Sequence, residues 1–458
     1  MRPDGGLTGG TNYPYHEFHA HQRPCANFTL PAMTLNHFVG YRCSLCGAEY
    51  APGAVEYVCP RHGDSGNLDV VLDLARIGRA VTPAAIAAST DSSLWRYLPL
   101  LPVGDPGFRG TPLRAAGWTP LYQAQKLGAA LGLANLFIKD DGRNPTASFK
   151  DRASAVVVAR AREIEAGVVV TASTGNAGAA LAGMAAAVGQ PAVIFAPESA
   201  PPAKVAQLLI FGARVLLVRG NYDQAFDLSL EASRAFGWYC RNTGYNPFTV
   251  EGKKTASFEI CEQLTAWRPP AGPGWAAPDR IFVSVGDGNI ISGLHKGLKD
   301  LAALGWIDRM PKLMGIQATG SAAISNAWAA GMETITPVSA QTQADSIAVD
   351  LPRDGVRAVR AARDTGGAYL TVSDDEILSA IAVLGRDAAI FAEPAGAAAY
   401  AGLVKAVQQG LVQSGETIVV VNTGSGLKDV RAATRAAPAP MVIEPTLEAV
   451  KRMGLVKA

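Results

Sequence analysis

Apolar residues fall along this 458-residue chain in two textures. From about residue 111 onward, short β-branched runs at 136–139, 168–171, 192–195, 215–218, 280–285, 313–317 and 417–421 alternate with alanine-rich stretches of helical length. Strands alternating with helices build parallel sheets, so the expected class is α/β. Ahead of 111 the alternation is missing. Residues 1–40 are rich in Gly, Pro and His without periodicity and read as an irregular arm. Residues 41–63 form a compact unit, and 64–110 read as a linker carrying a short helix near Leu68–Ile77. No internal repeat at a period of 20–50 residues appears.

Composition narrows the class. Apolar residues make up 48% and charged residues 17%, which excludes a disordered chain. With 41 basic against 39 acidic residues the net charge is +2, so no electrostatic footprint marks a nucleic acid or an anionic membrane as partner. The most apolar stretch, 166–196, is interrupted by Ser173, Thr174, Asn176, Gln190 and Pro191. It falls short of the roughly 18 uninterrupted apolar residues of a membrane span. The first thirty residues carry no charged-then-apolar leader pattern. A soluble, cytoplasmic protein is expected. Six cysteines in so long a chain do not make a disulfide framework.

Four of those cysteines and five of the six histidines precede residue 63. Cys43 and Cys46, then Cys59 and His62, form CxxC and CxxH pairs separated by a hairpin-sized gap. That is a candidate Cys3His site for one tetrahedral zinc ion, or a vestigial ribbon that packs without metal. His16, His19 and His21 form a weaker cluster. A ribbon also suits nucleic acid, but the flanking sequence lacks a basic patch interleaved with aromatics.

Further on, three loops that follow strands and one lysine carry the chemistry. Lys150, in Ser-Phe-Lys-Asp-Arg, stands where a strand–turn segment opens an alanine-rich helix. Desolvation lowers a lysine's pKa and frees its amine to form a Schiff base with an aldehyde; the alternative is a surface lysine paired with Asp140 or Asp151. Ser173, Thr174, Gly175 and Asn176 sit at a strand-to-helix turn, either an anion cradle or a simple cap. Gly286, Asp287, Gly288, Asn289 and Ile290 form a glycine-rich turn that invites a phosphate. It lacks the spacing of the dinucleotide fingerprint, and Asp287 suits a phosphate only if its side chain points away. Thr423, in Thr-Gly-Ser-Gly-Leu-Lys, follows the last strong strand and does not form a nucleophile elbow.

These motifs, in this order, together resemble the fold-type II pyridoxal-phosphate enzymes and most closely the threonine synthase family. The resemblance covers 41–435 and also includes Glu251-Gly-x-Lys-Thr255 and Glu393-Pro-Ala-Gly396. It implies a tryptophan-synthase-β-like fold with two open parallel-sheet domains and an N-terminal zinc-ribbon-like extension. The larger domain, binding pyridoxal 5'-phosphate, would comprise 111–165 and 266–435, the smaller mobile one 166–265, with 436–458 as a tail. By resemblance, Lys150 holds the cofactor and shuttles protons at the substrate's Cα and Cβ, and Asn176 bonds the cofactor's ring hydroxyl. The turn Ser173–Asn176 receives the substrate carboxylate, Gly286–Ile290 hold the cofactor phosphate, and Thr423 faces the pyridine nitrogen.

The implied reaction is γ-elimination of phosphate from O-phospho-L-homoserine followed by addition of water at Cβ, giving L-threonine. A homo-oligomer, a dimer by analogy, is expected. Three departures bear on the substrate. Ala147 replaces a glycine, the Gly286–Asn289 turn is one residue short, and Thr249 stands where a phosphate-binding arginine is expected. They leave open β-elimination or β-replacement on another amino acid, phosphoserine- or diaminopropionate-like, and a non-catalytic binding subunit of the same fold.

Overall fold

The computed structural model describes residues 37–453, so the His16, His19 and His21 cluster and all but the last residues of the arm lie outside the described residues. The first sheet is small and antiparallel. Strand β1 (Phe38–Cys43) lies between β2 (Glu49–Tyr50) and β3 (Leu68–Leu72). The segment expected to be helical near Leu68–Ile77 is thus a strand first. Leu68, Val70 and Leu72 are buried alternately with half-buried Asp69 and Val71, a period of two. Only after Asp73, whose carboxylate accepts from the Arg76 N–H at 2.9 Å, does the helix Leu74–Ala80 begin.

Strands β4 (Leu121–Gln123) and β5 (Asn135–Asp140) open a second sheet. The chain leaves it to build β6 (Val169–Ala172), β7 (Ala192–Pro197), β8 (Arg214–Val218) and β9 (Tyr239–Cys240), a four-stranded parallel sheet in the order β8-β7-β6-β9. It returns with β10 (Arg280–Ser284), β11 (Lys312–Ala318), β12 (Ala368–Val372) and β13 (Thr417–Asn422). The six-stranded order is β12-β11-β10-β13-β5-β4, parallel except where β4 meets β5. Helices cover both faces. Ile281, Val283, Val419 and Val421 enter one apolar core, while Phe282, Ile418 and Val420 enter a second core. Burial on two sides is why these strands are unbroken apolar runs rather than alternating ones. Among the described residues no helix is long and apolar enough to cross a membrane.

Two close approaches fix the helix Phe248–Thr265, which borders the site. A Cβ on Gly252 would stand 2.1 Å from the carbonyl oxygen of Arg152, and one on Gly293 would stand 2.7 Å from the Cβ of Lys253. Only glycine lets this helix lie so close to the helices Lys150–Glu163 and Asn289–Ala303.

Candidate active site

The chemistry-bearing loops gather at the carboxyl ends of the parallel strands, where open α/β sheets take their ligands. The loops after β5, β10 and β13 supply Lys150, Gly286–Ile290 and Thr423, which line one cavity together with Thr243, Lys253 and Ser284. An adjoining cavity is lined by Thr174, Gly175 and Asn176, and the two share Ser346, Glu393 and Ala395. Ser173 is the exception among the expected residues: it lines neither, and its Oγ accepts from the Gly175 N–H at 3.2 Å.

Lys150 is the first residue of its helix, and its Nζ forms no hydrogen bond or ion pair among the described residues. Neither carboxylate of the alternative, surface-lysine reading reaches it. Asp140 accepts from Asn422 at 2.7 Å, and Asp151 accepts from the hydroxyl and N–H of Thr146. Burial lowers the Lys150 pKa, with Arg241 adding to the shift and Glu393 opposing it. An amine held without a partner and pushed toward its neutral form suits Schiff-base chemistry.

The turn after β10 is a nest of donors. Among the described residues, the N–H groups of Gly286, Asp287, Gly288, Asn289 and Ile290 donate to no acceptor, and they open the helix Asn289–Ala303. Gly288 has φ +91°, and a Cβ there would meet the Ala358 Cβ at 2.7 Å, so the turn requires glycine. Asp287 turns away from the nest: its carboxylate accepts from the Arg353 N–H at 3.3 Å, and burial raises its pKa. The donor set fits the phosphate of pyridoxal phosphate, and the unpartnered Lys150 fits its aldehyde. Thr423 Oγ1 lies 3.5 Å from Ser284 Oγ on the same wall. The Asn176 amide donates to Glu393 Oε1 at 2.7 Å, and burial raises the pKa of Glu393.

Four residues escaped the sequence reading of the site. Glu393 belongs to both cavities, although in sequence it stands only as the first residue of Glu393-Pro-Ala-Gly396. Lys253 is the unspecified position of Glu-Gly-x-Lys-Thr. It is fully buried and bonds Asn289 Oδ1; burial first, then Lys150 and Arg241, lower its pKa strongly. Thr243 lines the cavity and accepts from Arg241 Nη1 at 2.9 Å. Arg241 is fully buried with its Nε on Ser154 Oγ at 3.1 Å, its Nη2 has no partner among the described residues, and burial brings its pKa down to about 10.

A second ionic group draws Arg152 and Glu259 from the helices that carry Lys150 and Lys253, Lys139 from β5 and Asp141 from the turn after it. Arg152 bonds Asp141 and Glu259, and Lys139 bonds Glu259 at 2.7 Å, with all four side chains buried. Burial works against the charges of Arg152 and Glu259, but the mutual attraction outweighs it, raising Arg152 and bringing Glu259 down to about 2.

In the antiparallel sheet, Cys43, Cys46, Cys59 and His62 bring one ligand atom each within 4.8 Å of one another. Three sulfurs and an imidazole nitrogen converging in this way are the donor set of a tetrahedral zinc site, and all three cysteines are free of disulfides.

Fold, lysine and phosphate nest define a fold-type II pyridoxal-phosphate enzyme. The family described as pyridoxal-phosphate dependent enzyme matches residues 113–424. The chain is 37% identical over 414 residues to the threonine synthase of Methanocaldococcus jannaschii, covering 90% of this chain and 98% of that one. It is 34% identical over 379 residues to the threonine synthase of Mycobacterium tuberculosis, covering 82% and 99%. The chain belongs to the threonine synthase family. Among solved structures, a threonine deaminase from Solanum lycopersicum superposes with a TM-score of 0.61 at 24% identity, covering 76% of this chain and 94% of that one. The diaminopropionate ammonia lyase of Escherichia coli does so with a TM-score of 0.58 at 18% identity, covering 70% and 89%. Both likenesses are of fold.

Proposed function

We propose that the protein converts O-phospho-L-homoserine and water to L-threonine and phosphate. The observation that carries this reading is the unpartnered Lys150 amine beside a five-donor nest in a chain that matches threonine synthases over nearly its whole length. Bound pyridoxal phosphate supplies an electron sink for carbanions at Cα and Cβ. Lys150 takes and returns the protons at those carbons, since among the described residues it is the unengaged amine at the cavity wall and is poised toward its neutral form. The N–H groups of Gly286–Ile290 hold the cofactor phosphate, and Thr423 offers a neutral hydroxyl to the pyridine nitrogen. Thr174, Gly175 and Asn176, at the N-terminus of the helix Asn176–Ala186, receive the substrate carboxylate. Asn176, held by Glu393, is oriented for the ring hydroxyl.

The unit 166–265 closes on the larger one, 111–165 with 266–435, to keep water from the reacting carbons until the addition step. Cys43, Cys46, Cys59 and His62 hold one structural zinc ion, and the enzyme works as a cytoplasmic homodimer. Following phosphate and threonine together during turnover of O-phospho-L-homoserine by the cofactor-loaded protein tests the reaction. Equal release of both is expected. A loaded enzyme that ignores this substrate and eliminates from phosphoserine or diaminopropionate would replace the reading. Metal analysis of protein purified without chelator is expected to find about one zinc per chain, the stoichiometry of a four-ligand site.

A further inference from the structure

The sequence lacks the expected arginine at 249, yet a second lysine, Lys253, lines the cavity with Lys150, alongside the carboxylates of Asp287 and Glu393. Thr249 sits one helical turn before Lys253, so the two share a helix face. Their side chains also meet at one atom: Thr249 Oγ1 lies 3.2 Å from Asn289 Oδ1, the acceptor that Lys253 Nζ uses. A charge absent at 249 thus reappears in the same place, four residues later.

Lys253 and Arg241 stand apart from the other buried cations. Arg96, Lys139, Arg152, Lys254, Arg280 and Arg357 each form an ion pair with a carboxylate; Lys253 and Arg241 form none among the described residues. An uncompensated buried charge is costly and calls for a counter-ion. The hydrogen-bond directions point the same way. Thr243 Oγ1 accepts from Arg241, which leaves its own hydrogen free for the cavity it lines, and Lys253 spends one of its three donors on Asn289. The nest at Gly286–Ile290 already offers five N–H groups to one phosphate, so these cations are left for a second anion.

We propose that Lys253 and the Thr243 hydroxyl, backed by the field of Arg241, form the subsite that takes the substrate's phosphate dianion in place of the missing arginine. This rests on O-phospho-L-homoserine being the substrate. Charge-assisted donors from an ammonium and a polarised hydroxyl hold the ester oxygens and stabilise the phosphate as it leaves.

The test uses the cofactor-loaded full chain and three constants: KM for O-phospho-L-homoserine, affinity for inorganic phosphate read as inhibition or spectral change, and cofactor affinity read from Schiff-base absorbance. K253Q is expected to raise KM and weaken inorganic phosphate by about tenfold to a hundredfold, the loss of one charge-assisted hydrogen bond. Cofactor affinity should stay within about threefold, a difference under 1 kcal/mol, and K253R should restore part of the loss. If K253Q fails to fold, T243V and R241K are read the same way, with smaller shifts of the same sign expected.

A fall in cofactor affinity with KM unchanged at saturating cofactor would overturn the proposal and give these groups to the cofactor's phosphate. Unchanged constants would overturn it too. Should the wild type not turn over O-phospho-L-homoserine, the substrate reading fails separately. Inorganic phosphate then decides the subsite: binding that K253Q weakens supports an anion site, and equal binding in both removes it.

Discussion

Two ionic groups draw on the same two helices, Lys150–Glu163 and Phe248–Thr265, with Lys139 added to one from β5 and Arg241 to the other from just after β9, and they are built to opposite rules. In one, Arg152 and Lys139 are enclosed by Asp141 and Glu259, and Thr119 donates to Asp141 at 2.6 Å while accepting from Arg152 at 3.1 Å. In the other, Lys150, Lys253 and Arg241 share a neighbourhood without a carboxylate bonded to any of them. The first closes its charges inside the protein and ties together the helices Lys150–Glu163 and Phe248–Thr265 with β5. The second leaves Lys150 and Lys253 open toward a cavity, with Arg241 buried behind Thr243. Alternation along one helix produces the contrast: Glu251, Lys254 and Glu259 face paired partners, while Lys253 faces Asn289. Satisfied charge marks scaffold here, and unsatisfied charge marks the site.

The comparison breaks most sharply at Lys150. Lys150→Ala should abolish turnover and the Schiff-base absorbance while circular dichroism and melting stay near wild type, because no protein partner is lost. Residual turnover near the wild-type rate would mean another amine does the work. Next in size, Glu259→Gln should destabilise the fold by about 3–5 kcal/mol, the cost of leaving buried charges uncompensated. Denaturant unfolding checks this.

The same distinction carries a pH sign. Glu259, with its pKa lowered to about 2, gives stability that is present above the ordinary carboxylate range and lost as pH falls toward that value. Lys253, also lowered but as a base, costs stability while the unfolded chain holds its proton, and the cost fades as pH rises toward the usual lysine range. Lys253→Met in the cofactor-free protein should therefore melt higher than wild type at neutral pH, with the gain shrinking in alkali. A lower melting temperature at neutral pH would count against an uncompensated charge. The smallest effect belongs to the Lys150 loop. Ala147 sits at φ +64°, where a side chain costs about 1–2 kcal/mol and glycine costs nothing. Since glycine loses more freedom on folding, Ala147→Gly should gain no more than about 1 kcal/mol in the same unfolding assay.

Much of this was legible along the chain. All seven β-branched runs from 136 to 421 fall on parallel strands of the two larger sheets; burial on both faces demands continuous apolar runs in six of them, while the seventh, 215–218, is the edge strand β8 with Leu216 and Leu217 exposed. Lys150, Gly286–Ile290 and Thr423 were legible because strand-end loops carry their glycines and hydroxyls in fixed local order. The strand at Leu68–Leu72 was not, since its short alternation runs straight into a helix and only pairing with β1 separates the two. Lys253 was invisible for a different reason: in sequence it is one of two adjacent lysines, and Lys254 turns to Glu251 and Asp300 instead.

Nor does the sequence tell why a ribbon should accompany such a site. The fold joins them through Asn289, which donates to Asp354 at 2.7 Å, and through Arg357, which bonds both Asp354 and Asp69 of β3. By itself the sequence determined the α/β class, through the alternation of strands and helices from 111 onward, and singled out Lys150 and the turn Gly286–Ile290, since each of these loops is a local pattern of ten residues or fewer. Which buried charges are paired and which stay open was decided only by tertiary packing. A charge is compensated or left bare by residues a hundred positions away, and no local pattern records their distance.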